Sequence, residues 1–525
     1  MTFEIVFVLL SLLGMMAALI ADKMRPGMVL FSVVVLFLCV GILTPKEMLE
    51  GFSNKGMITV ALLFLVSEGI RQSGTLGQVI KKLLPQGKTT VFKAQLRILP
   101  SVAFISAFLN NTPVVVIFAP IIKHWAKSVK LPATKFLIPL SYVTILGGIC
   151  TLIGTSTNLV VHGMILEAGY EGFTMFELGK VGIFIAIAGI IYLFIFSKRL
   201  LPDARPDTAV PDEEVEEGEK LHRVEAVLGA RFPGINKKLS DFNFQRHYGA
   251  EVKEIKTRNG QRYVDHLEDV VLREGDTLVV MADDTFIPTW GESSVFVLLT
   301  NGNDPDTSGK KKRWLALILL VLMIVGATVG ELPATKEMFP DIKLDMFFFV
   351  CITTIIMAWT NIFPARKYTK YISWDILITI ACAFAISKAM VNSGVADCVA
   401  GFIIGLSDDY GPHVLLAILF VITNLFTELI TNNAAAALAF PLALSISAQL
   451  GVSPTPFFVV ICMAASASFS TPIGYQTNLI VQGVGGYKFT DFVKVGLPLN
   501  LITFLISVFV IPLSLIHISE PTRPE

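Results

Sequence analysis

Long apolar runs, several of them interrupted by polar residues, constrain this chain more than any other feature. Each run of about 17 to 25 residues is long enough to cross the roughly 30 Å of hydrocarbon in a bilayer. The chain is 53% hydrophobic and only 16% charged over 525 residues, far more apolar than a soluble protein of that length. The predicted spans lie at roughly 2–20, 27–43, 57–72, 133–165, 178–198, 313–331, 344–363, 372–393, 453–485 and 491–516. The first run lacks a basic leader and a small-residue cleavage site, so we keep it as a span.

A soluble insert at residues 203–312 separates two membrane halves. It opens with an acidic, proline-containing stretch, "PDARPDTAVPDEEVEEGEK", and ends with "DPDTSGKKKR". Within a core of about 221–300, the β-rich runs "RVEAVLGA", "EVKEIKTRNGQRYV" and "DTLVVMA" alternate with turn signals. This pattern predicts a small mixed α/β domain between flexible linkers.

Polar motifs recur in the same order on either side of the insert, which indicates an internal repeat. The motif "TLIGTSTNLVV" matches "TPIGYQTNLIV" 320 residues later. The motif "LNNTPVVVIFAP" matches "TNNAAAALAFP", which pairs Asn110-Asn111 with Asn432-Asn433 at an offset of 322. Each half is therefore predicted to hold five crossings and one re-entrant hairpin with Asn-Asn at its tip.

An odd number of crossings makes the halves two inverted repeats, which is the organisation of many secondary transporters. We place the repeats at 1–200 and 313–516, the hairpins at about 97–126 and 412–447, and the broken helices at about 133–165 and 453–485. Short loops on the side of the insert carry most of the Lys and Arg residues. The insert is therefore predicted to be cytoplasmic, with both termini outside, in a multi-pass protein of the plasma (inner) membrane.

Non-helical backbone at bilayer depth is tolerated only where protein buries it or water lines it, so the breaks are candidate sites. In "NNTPV", Thr112 can act as an N-cap before Pro113, and "STPIG" repeats the arrangement with Thr471 and Pro472. Helix N-termini placed in this way direct N–H groups and a positive dipole end toward the midplane. Such a position suits an anion.

The same breaks supply oxygen atoms that suit a hard monovalent cation. An anion and a cation bound near each other would stabilise one another in low-dielectric surroundings. The predicted cation ligands are the amide oxygens of Asn111 and Asn433, the hydroxyls of Thr155, Ser156 and Ser470, and carbonyls freed around Gly154 and Gly474.

Glu428, four residues before Asn432, is an intramembrane acid and for that reason a functional candidate. Two roles stay open for it: it carries a coupling proton, or hydrogen bonds neutralise it at the mouth of the second hairpin. The sequence holds no nucleophile with a base, no phosphate-binding loop and no metal-ligand cluster, so neither catalysis nor an organic cofactor is expected. With 42 basic and 42 acidic residues and no basic arm, the chain is not predicted to bind nucleic acid.

Paired hairpins tipped with Asn-Thr or Asn-Ala, each followed by a Gly-Thr-rich broken helix, resemble the divalent anion:sodium symporter family of the wider ion-transporter superfamily. The resemblance covers nearly all of both membrane halves. It implies that the tips and facing breaks hold sodium in each half, with Asn111 and Asn433 contributing to both ion and anion sites. It also implies a homodimer that works by elevator-like movement of the hairpin-bearing domain. The predicted anion site comprises Asn110, Asn111, Thr112, Asn432, Asn433, Thr155, Thr471 and Gly474.

The tip sequences depart from the family pattern, which is usually Ser-Asn-Thr in each half. Here the matching stretches are "NNT" from Asn110 and "NNA" from Asn432. In family members that take dicarboxylates both threonines meet the substrate, and Ala434 lacks that hydroxyl. The resemblance therefore favours a smaller tetrahedral dianion such as sulfate.

The insert is similar to the C-terminal ligand-binding domain of TrkA-type potassium-uptake regulators. The similarity lies in "FPGINKKLSDFNFQRHYGAEVKEIKTRNGQRY" followed by "LREGDTLVVMA", present in one copy. Permeases that combine such an insert with Asn-Asn tips are commonly assigned to sulfate. A small regulatory ligand and a plain dimerisation role both stay open for the insert. Residues 517–525 match neither half and look like translated sequencing-adaptor read-through, so we assign them no function.

The leading hypothesis is sodium-driven import of sulfate or a similar small dianion. Its nearest rival keeps the fold and changes the cargo to a dicarboxylate. A rival of another class is an anion sensor with the shape of a transporter, in which the insert signals occupancy. A further alternative is proton-coupled exchange through Glu428.

Overall fold

The computed structural model describes most of the chain. The described residues are 3–21, 24–85, 87–203, 222–229, 231–257, 261–283, 286, 290, 295–300, 310–339, 342–405 and 412–514. The predicted linker after residue 203 and the tail at 517–525 lie outside the described residues. Seven described helices are long and apolar enough to cross a membrane, and further apolar helices of 10–17 residues accompany them.

Ten helices are described in the first half. They are Phe3–Ala21, Pro26–Val40, Pro45–Glu50, Lys55–Gln72, Thr75–Leu83, Val91–Ser106, Asn111–Ser128, Leu137–Gly148, Ser156–Glu167 and Gly179–Leu200, with 3-10 turns at Gly51–Ser53 and Ala133–Lys135. We call Val91–Ser106 and Asn111–Ser128 the first hairpin. Leu137–Gly148 and Ser156–Glu167 are the first broken helix.

The described helices of the second half follow the same order. They are Lys310–Gly330, Pro333–Met338, Met346–Trp359, Tyr368–Tyr371, Trp374–Asn392, Val395–Gly405, Pro412–Leu429, Asn432–Leu450, Thr455–Ser466, Gln476–Gly485 and Phe489–Ser514, with a 3-10 turn at Ala365–Lys367. Pro412–Leu429 and Asn432–Leu450 are the second hairpin. Thr455–Ser466 and Gln476–Gly485 are the second broken helix, and Phe489–Ser514 is the last helix.

The broken helices lie at the centre of the bundle. Every residue of Leu137–Gly148 is buried, whereas Phe3–Ala21 buries only Val8 and Met15. An apolar helix with an exposed surface of this kind is suited to lipid. The predicted fold class, a polytopic helical membrane protein with a small insert, is confirmed. The number of crossings and the inverted orientation of the halves stay predictions.

The described part of the insert forms a five-stranded antiparallel sheet with strand order β3-β2-β4-β1-β5. The strands are β1 His222–Leu228, β2 Glu251–Lys256, β3 Arg262–Tyr263, β4 Thr277–Ala282 and β5 Phe296–Thr300. A short helix, Phe244–Tyr248, and 3-10 turns at Leu239–Asp241 and Leu267–Asp269 complete it. The sheet encloses its own aromatic core, which includes Phe232, Phe242 and Tyr248.

The insert also contacts the membrane helices. Val227 of β1 is 1% exposed and belongs to the apolar core of the membrane region. The Lys123 ammonium, in the second arm of the first hairpin, lies 2.9 Å from the Glu225 carboxylate of β1. A Cβ added at Gly483 of the second broken helix would lie 2.6 Å from the Thr277 hydroxyl of β4. The sheet is therefore seated on elements from both halves.

Candidate anion and cation site

Each hairpin turns at a tip whose asparagine is tied to its own first arm. The Ser106 hydroxyl donates to Asn111 Oδ1 at 2.7 Å in the first hairpin. The Thr427 hydroxyl donates to Asn432 Oδ1 at 2.8 Å in the second. Both pairs are separated by five residues, so the same local bond fixes the amide at both tips.

The first break, residues 149–155, and the second break, residues 467–475, repeat each other just as closely. The N–H of Gly154 donates to the Thr151 hydroxyl at 3.2 Å, and the N–H of Gly474 donates to the Thr471 hydroxyl at 3.2 Å. The side chains of Asn158 and Asn478 then donate to the carbonyls of those threonines, at 2.9 Å and 3.1 Å. The polar residues of both breaks thus satisfy backbone groups that a continuous helix would have bonded internally.

Glycine is required in the first break because two stretches of backbone approach closely. A Cβ at Gly154 would lie 2.5 Å from the Gly148 carbonyl oxygen. A Cβ at Gly148 would in turn lie 2.6 Å from Asn111 Oδ1. The break and the first tip are therefore packed directly against each other.

Each tip reaches across to the break of the other half. The Thr112 hydroxyl lies 3.3 Å from Gln476 Oε1, which joins the first tip to the second break. The hydroxyls of Ser156 and Thr157 lie 3.4 Å and 3.2 Å from Asn433 Oδ1, which joins the second tip to the first break. Thr112 and Asn433 occupy equivalent positions, one residue after the tip asparagine that is bonded to the first arm. The site is therefore built from both halves in the same way.

Tyr475 lies at the centre of this arrangement. Asn111 Nδ2 donates to its hydroxyl at 2.6 Å, and the Thr155 hydroxyl lies 3.0 Å from it. Asn432, at the second tip, also lies close to this hydroxyl. Asn111 and Thr155 are each 1% exposed, and Tyr475 is buried as well. The phenol of Tyr475 therefore links both tips and the first break inside the protein.

Four helix N-termini meet here without side-chain caps. The helices begin at Asn111, Ser156, Asn432 and Gln476, and the residue before each forms no capping hydrogen bond with its side chain. Backbone N–H groups in the first turn of a helix lack intrahelical partners and carry the positive end of the dipole. The arrangement can therefore receive a negatively charged group.

The predicted N-caps were wrong. The helix of the first tip begins at Asn111, so Thr112 lies inside it. The helix of the second break begins at Gln476, so Thr471 lies four residues before its N-cap. The hydroxyl of Thr471 is instead used within the break, where it accepts from the Gly474 N–H and donates to the Glu428 carbonyl. A Thr-Pro pair is compatible with a helix start but does not require one.

The repeat register also differs by one residue from the predicted pairing. The bonds at the tips make Asn111 equivalent to Asn432, an offset of 321, whereas matching the Asn-Asn letters gave 322. Thr112 then corresponds to Asn433 and not to Ala434. The argument that Ala434 removes a substrate hydroxyl therefore loses its structural basis.

The predicted site residues fall into three groups. Asn111, Thr112, Thr155, Ser156, Asn432 and Asn433 are brought together at the tips, while Gly154, Thr471 and Gly474 shape the breaks. Asn110 lines a small cleft together with Ser67 and Ser156. Ser470 is not joined to Asn433 by a hydrogen bond; its backbone N–H donates to Glu428 Oε1 at 2.9 Å.

Several residues at the centre were not predicted. Tyr475, Gln476 and Thr157 contact the tips, and Ser141 donates to Asn478 Oδ1 at 2.7 Å to join the two broken helices. Tyr475 stands 320 residues after Thr155, so the repeat itself marked the position. The aromatic ring concealed it, because tyrosine in an apolar run suggests packing.

Comparisons with known proteins find membrane transporters among the similar sequences. The chain matches the family model CitMHS, described as a citrate transporter, over residues 16–456 and again over 335–524. It is 29% identical to an uncharacterized transporter of Synechocystis over 94% of each chain. It is 28% identical to the "Putative sulfur deprivation response regulator" of Chlamydomonas reinhardtii, over 91% of this chain and 96% of that one. It is 29% identical to sodium/sulfate cotransporter 1 of C. reinhardtii, over 55% of this chain and 32% of that protein.

The family model and the long apolar helices together indicate a multi-pass membrane transporter. The chain belongs to the CitMHS citrate transporter family. The predicted membership of the ion-transporter superfamily is thereby supported. The resemblance of the insert to TrkA-type domains stays a prediction.

Proposed function

We propose that the chain is a sodium-coupled secondary transporter that imports a small divalent anion, with sulfate as the substrate. The observation that carries the proposal is the convergence of four uncapped helix N-termini on amides and hydroxyls from both halves. Helix N-termini at bilayer depth are a recurrent way for secondary transporters to hold anionic groups.

The site has donors suited to a tetrahedral dianion. The Asn111 amide nitrogen and the Thr155 hydroxyl lie 2.6 Å and 3.0 Å from the Tyr475 hydroxyl. Sulfate oxygens accept hydrogen bonds from such neutral donors and from backbone N–H groups. The choice of sulfate rests on the names of relatives, one a sodium/sulfate cotransporter and one linked to sulfur deprivation. Citrate, which names the family, and dicarboxylates are the competing substrates.

Sodium is proposed as the coupling ion and is carried with the substrate. The oxygens around the first break include the Thr155 and Ser156 hydroxyls, the carbonyls near Gly154 and the unpaired, buried Asn158 Oδ1. Oxygen sets of this kind bind hard monovalent cations in broken helices. One sodium is therefore proposed in each half, held by a tip and the break that faces it.

Transport is proposed to proceed by an elevator movement within a homodimer. The hairpins, the broken helices and Gly179–Leu200 with the last helix would move together against the remaining spans. The insert is proposed to be cytoplasmic and to regulate this movement or to join subunits.

Proteoliposome uptake tests the proposal. Labelled sulfate, citrate and succinate are compared with and without an inward sodium gradient. We expect sulfate uptake that requires sodium, and a loss of at least about tenfold in Asn111→Ala and Asn433→Ala, since each removes hydrogen bonds at the site. Asn392→Ala is the control, because its amide contacts the Ile42 carbonyl and Glu47, away from the tips. Uptake of citrate or succinate with no response to sulfate would refute the substrate.

A second candidate is an anion sensor. The observation that favours it is the relative named as a sulfur deprivation response regulator, which matches over nearly the full length of both chains. A sensor would bind sulfate with sodium but show no net flux in the same proteoliposomes. Equilibrium binding measured beside uptake separates the two functions.

A further inference from the structure

Glu428 lies behind the second break in a polar pocket that the tips do not share. Its Oε1 accepts from the backbone N–H of Ser470 at 2.9 Å and from Asn500 Nδ2 at 2.7 Å. Asn500 Nδ2 also donates to the Ser470 hydroxyl at 2.8 Å. The last helix, the second hairpin and the second break therefore each contribute one side chain to this pocket.

Two oxygens of the pocket are buried and unpaired. Glu428 Oε2 has less than 1 Å² of exposed surface, and so does Asn500 Oδ1; neither has a hydrogen-bond partner among the described residues. Asn500 is itself only 7% exposed. The Asn500 amide contacts the Glu428 carboxylate, because Nδ2 donates to Oε1. The two unpaired oxygens, Asn500 Oδ1 and Glu428 Oε2, therefore belong to side chains in direct contact. Both are acceptors, so they can be satisfied only by something positive or by a donor.

The carboxylate is present in one half only. The Thr471 hydroxyl donates to the Glu428 carbonyl at 3.3 Å, and the Thr151 hydroxyl makes the equivalent bond to the Ala107 carbonyl. Ala107 is thus the first-half equivalent of Glu428. The second half thus carries a carboxylate at a position where the first half, with the same backbone hydrogen bond, has alanine. Packing that the two halves share therefore does not explain the Glu428 carboxylate.

An ionised carboxylate at this depth requires compensation. A buried charge without a partner is strongly destabilising, and intramembrane acids pair with cations, backbone groups or water. No Lys, Arg or His of the described chain forms an ion pair with Glu428. The hydrogen bonds from Ser470 and Asn500 reach Oε1, and the backbone N–H and hydroxyl of Thr471 also lie close to the carboxylate. Oε2 nevertheless has no hydrogen-bond partner among the described residues.

We propose that Glu428 Oε2, Asn500 Oδ1 and the Ser470 hydroxyl bind a monovalent cation of the sodium class, in addition to the ions at the tips. Hard cations of this kind take oxygen ligands from carboxylates, amides and hydroxyls. The proposal deepens the proposed function, since it adds one charge-neutralising cation to the sodium-coupled mechanism. It is a binding site in its own right and is measurable without transport.

The test is equilibrium binding of radioactive sodium to the purified full-length chain, with choline as the replacement cation. We expect Glu428→Gln to bind one sodium fewer per chain than the wild type, and Asn500→Ala to bind sodium at this site about tenfold more weakly or worse, as when a metal site loses a supporting group. Glu68→Gln is the matched control. Both oxygens of Glu68 are already bonded, to Arg71 and Gln72, and it should bind as many ions as the wild type.

Thermal unfolding supplies a readout that does not depend on counting ions. In choline, Glu428→Gln should unfold at a higher temperature than the wild type, because it removes an uncompensated buried charge. In saturating sodium the order should reverse, because only the wild type gains from binding at this site. A Glu428→Gln protein that is less stable than the wild type in both salts would overturn the assignment.

Sodium binding distinguishes failure of the proposed function from failure of the Glu428 site alone. If the wild type binds no sodium, both the proposed function and this site are wrong. If the wild type binds sodium and Glu428→Gln binds the same number of ions, only this site is wrong. A proton on Glu428 would give that second result, together with sodium-independent stability of the wild type relative to the variant.

Discussion

At the residue scale, Tyr475 is the side chain on which the geometry of the centre most depends. Its hydroxyl is the point at which Asn111 and Thr155 meet. A phenol can donate to an anion and accept from an amide at the same time. We infer that it orients the first tip when the site is empty and donates to the substrate when the site is filled.

Tyr475→Phe should weaken sulfate binding by about tenfold or more, since it removes one hydrogen bond to a charged group. It should also lower the free energy of unfolding by about 1–3 kcal/mol, because Asn111 Nδ2 loses its partner in a buried setting. Tyr192→Phe is the control, since that hydroxyl donates to the Val495 carbonyl at 2.9 Å, away from the tips. Calorimetry with sulfate should separate the two. Equal losses of affinity in both variants would remove Tyr475 from the site.

Gly154→Ala should destabilise the first break. The new Cβ would lie 2.5 Å from a backbone oxygen of Gly148, which cannot rotate away. The strain should cost roughly 1–3 kcal/mol and displace Asn111, so sulfate uptake should fall with it. Gly14→Ala is the control, because nothing lies within 4 Å of the added carbon. An active, stable Gly154→Ala protein would show that the break is looser than described.

At the element scale, the halves agree in what closes the breaks and differ in what fills them. Threonine hydroxyls and asparagine amides replace lost helical hydrogen bonds in both breaks. The first break then presents Thr155 where the second presents Tyr475. The two breaks therefore present different side chains on equivalent backbones.

The sequence predicted these elements because their polar residues stand out against apolar runs. The helices of the first hairpin span Val91–Ser106 and Asn111–Ser128, where about 97–126 was expected, and those of the second span Pro412–Leu429 and Asn432–Leu450, where about 412–447 was expected. That these segments are re-entrant stays a prediction. The helix starts were not predictable, because the Thr-Pro pairs fit a cap equally well at a position the chain does not use. The partner of Glu428 was also hidden, since Asn500 is 72 residues away and only tertiary packing brings the two together.

Cross-linking tests the pairing of each tip with the opposite break. Thr112→Cys with Gln476→Cys should be joined by mercuric ion or a short dithiol reagent, because the wild-type side-chain oxygens are 3.3 Å apart. The background has its six native cysteines replaced by alanine. Thr112→Cys with Asn392→Cys should not react. Mass spectrometry of the digested protein reads the result, and absence of the first link would contradict the crossed arrangement.

At the scale of the whole molecule, the insert is tied to the hairpin domain by charge. Burial alone raises the pKa of Glu225, but the ammonium groups of Lys123 and Lys256 outweigh it and lower the pKa to about 2. Lys123 belongs to the first hairpin and Lys256 to the sheet. Arg231 adds a contact to the Ile372 carbonyl at 3.4 Å, next to Trp374–Asn392. The sheet thus touches helices that the elevator proposal assigns to both the moving and the fixed parts.

Glu225 should make stability depend on pH. Its pKa is lowered on folding, so its contribution is complete above the unfolded value near 4.5 and is lost as the pH falls toward 2. The contribution should be on the order of 3 kcal/mol. Glu225→Gln should therefore be less stable than the wild type at pH 7, with the difference shrinking as the pH falls below about 4.5. Glu251→Gln, which removes an exposed carboxylate paired with Lys253, is the control and should behave like the wild type in thermal unfolding.

The central claim is that the two hairpin tips and the two breaks enclose one anion. The most direct measurement is a structure of the protein with sodium and selenate, a tetrahedral dianion whose selenium is located by its anomalous scattering. We predict selenium between the tips, with its oxygens within hydrogen-bonding distance of Asn111 or Thr155 from the first half and of Asn433 or Tyr475 from the second. Selenate bound elsewhere, or groups of one half alone around it, would contradict the account.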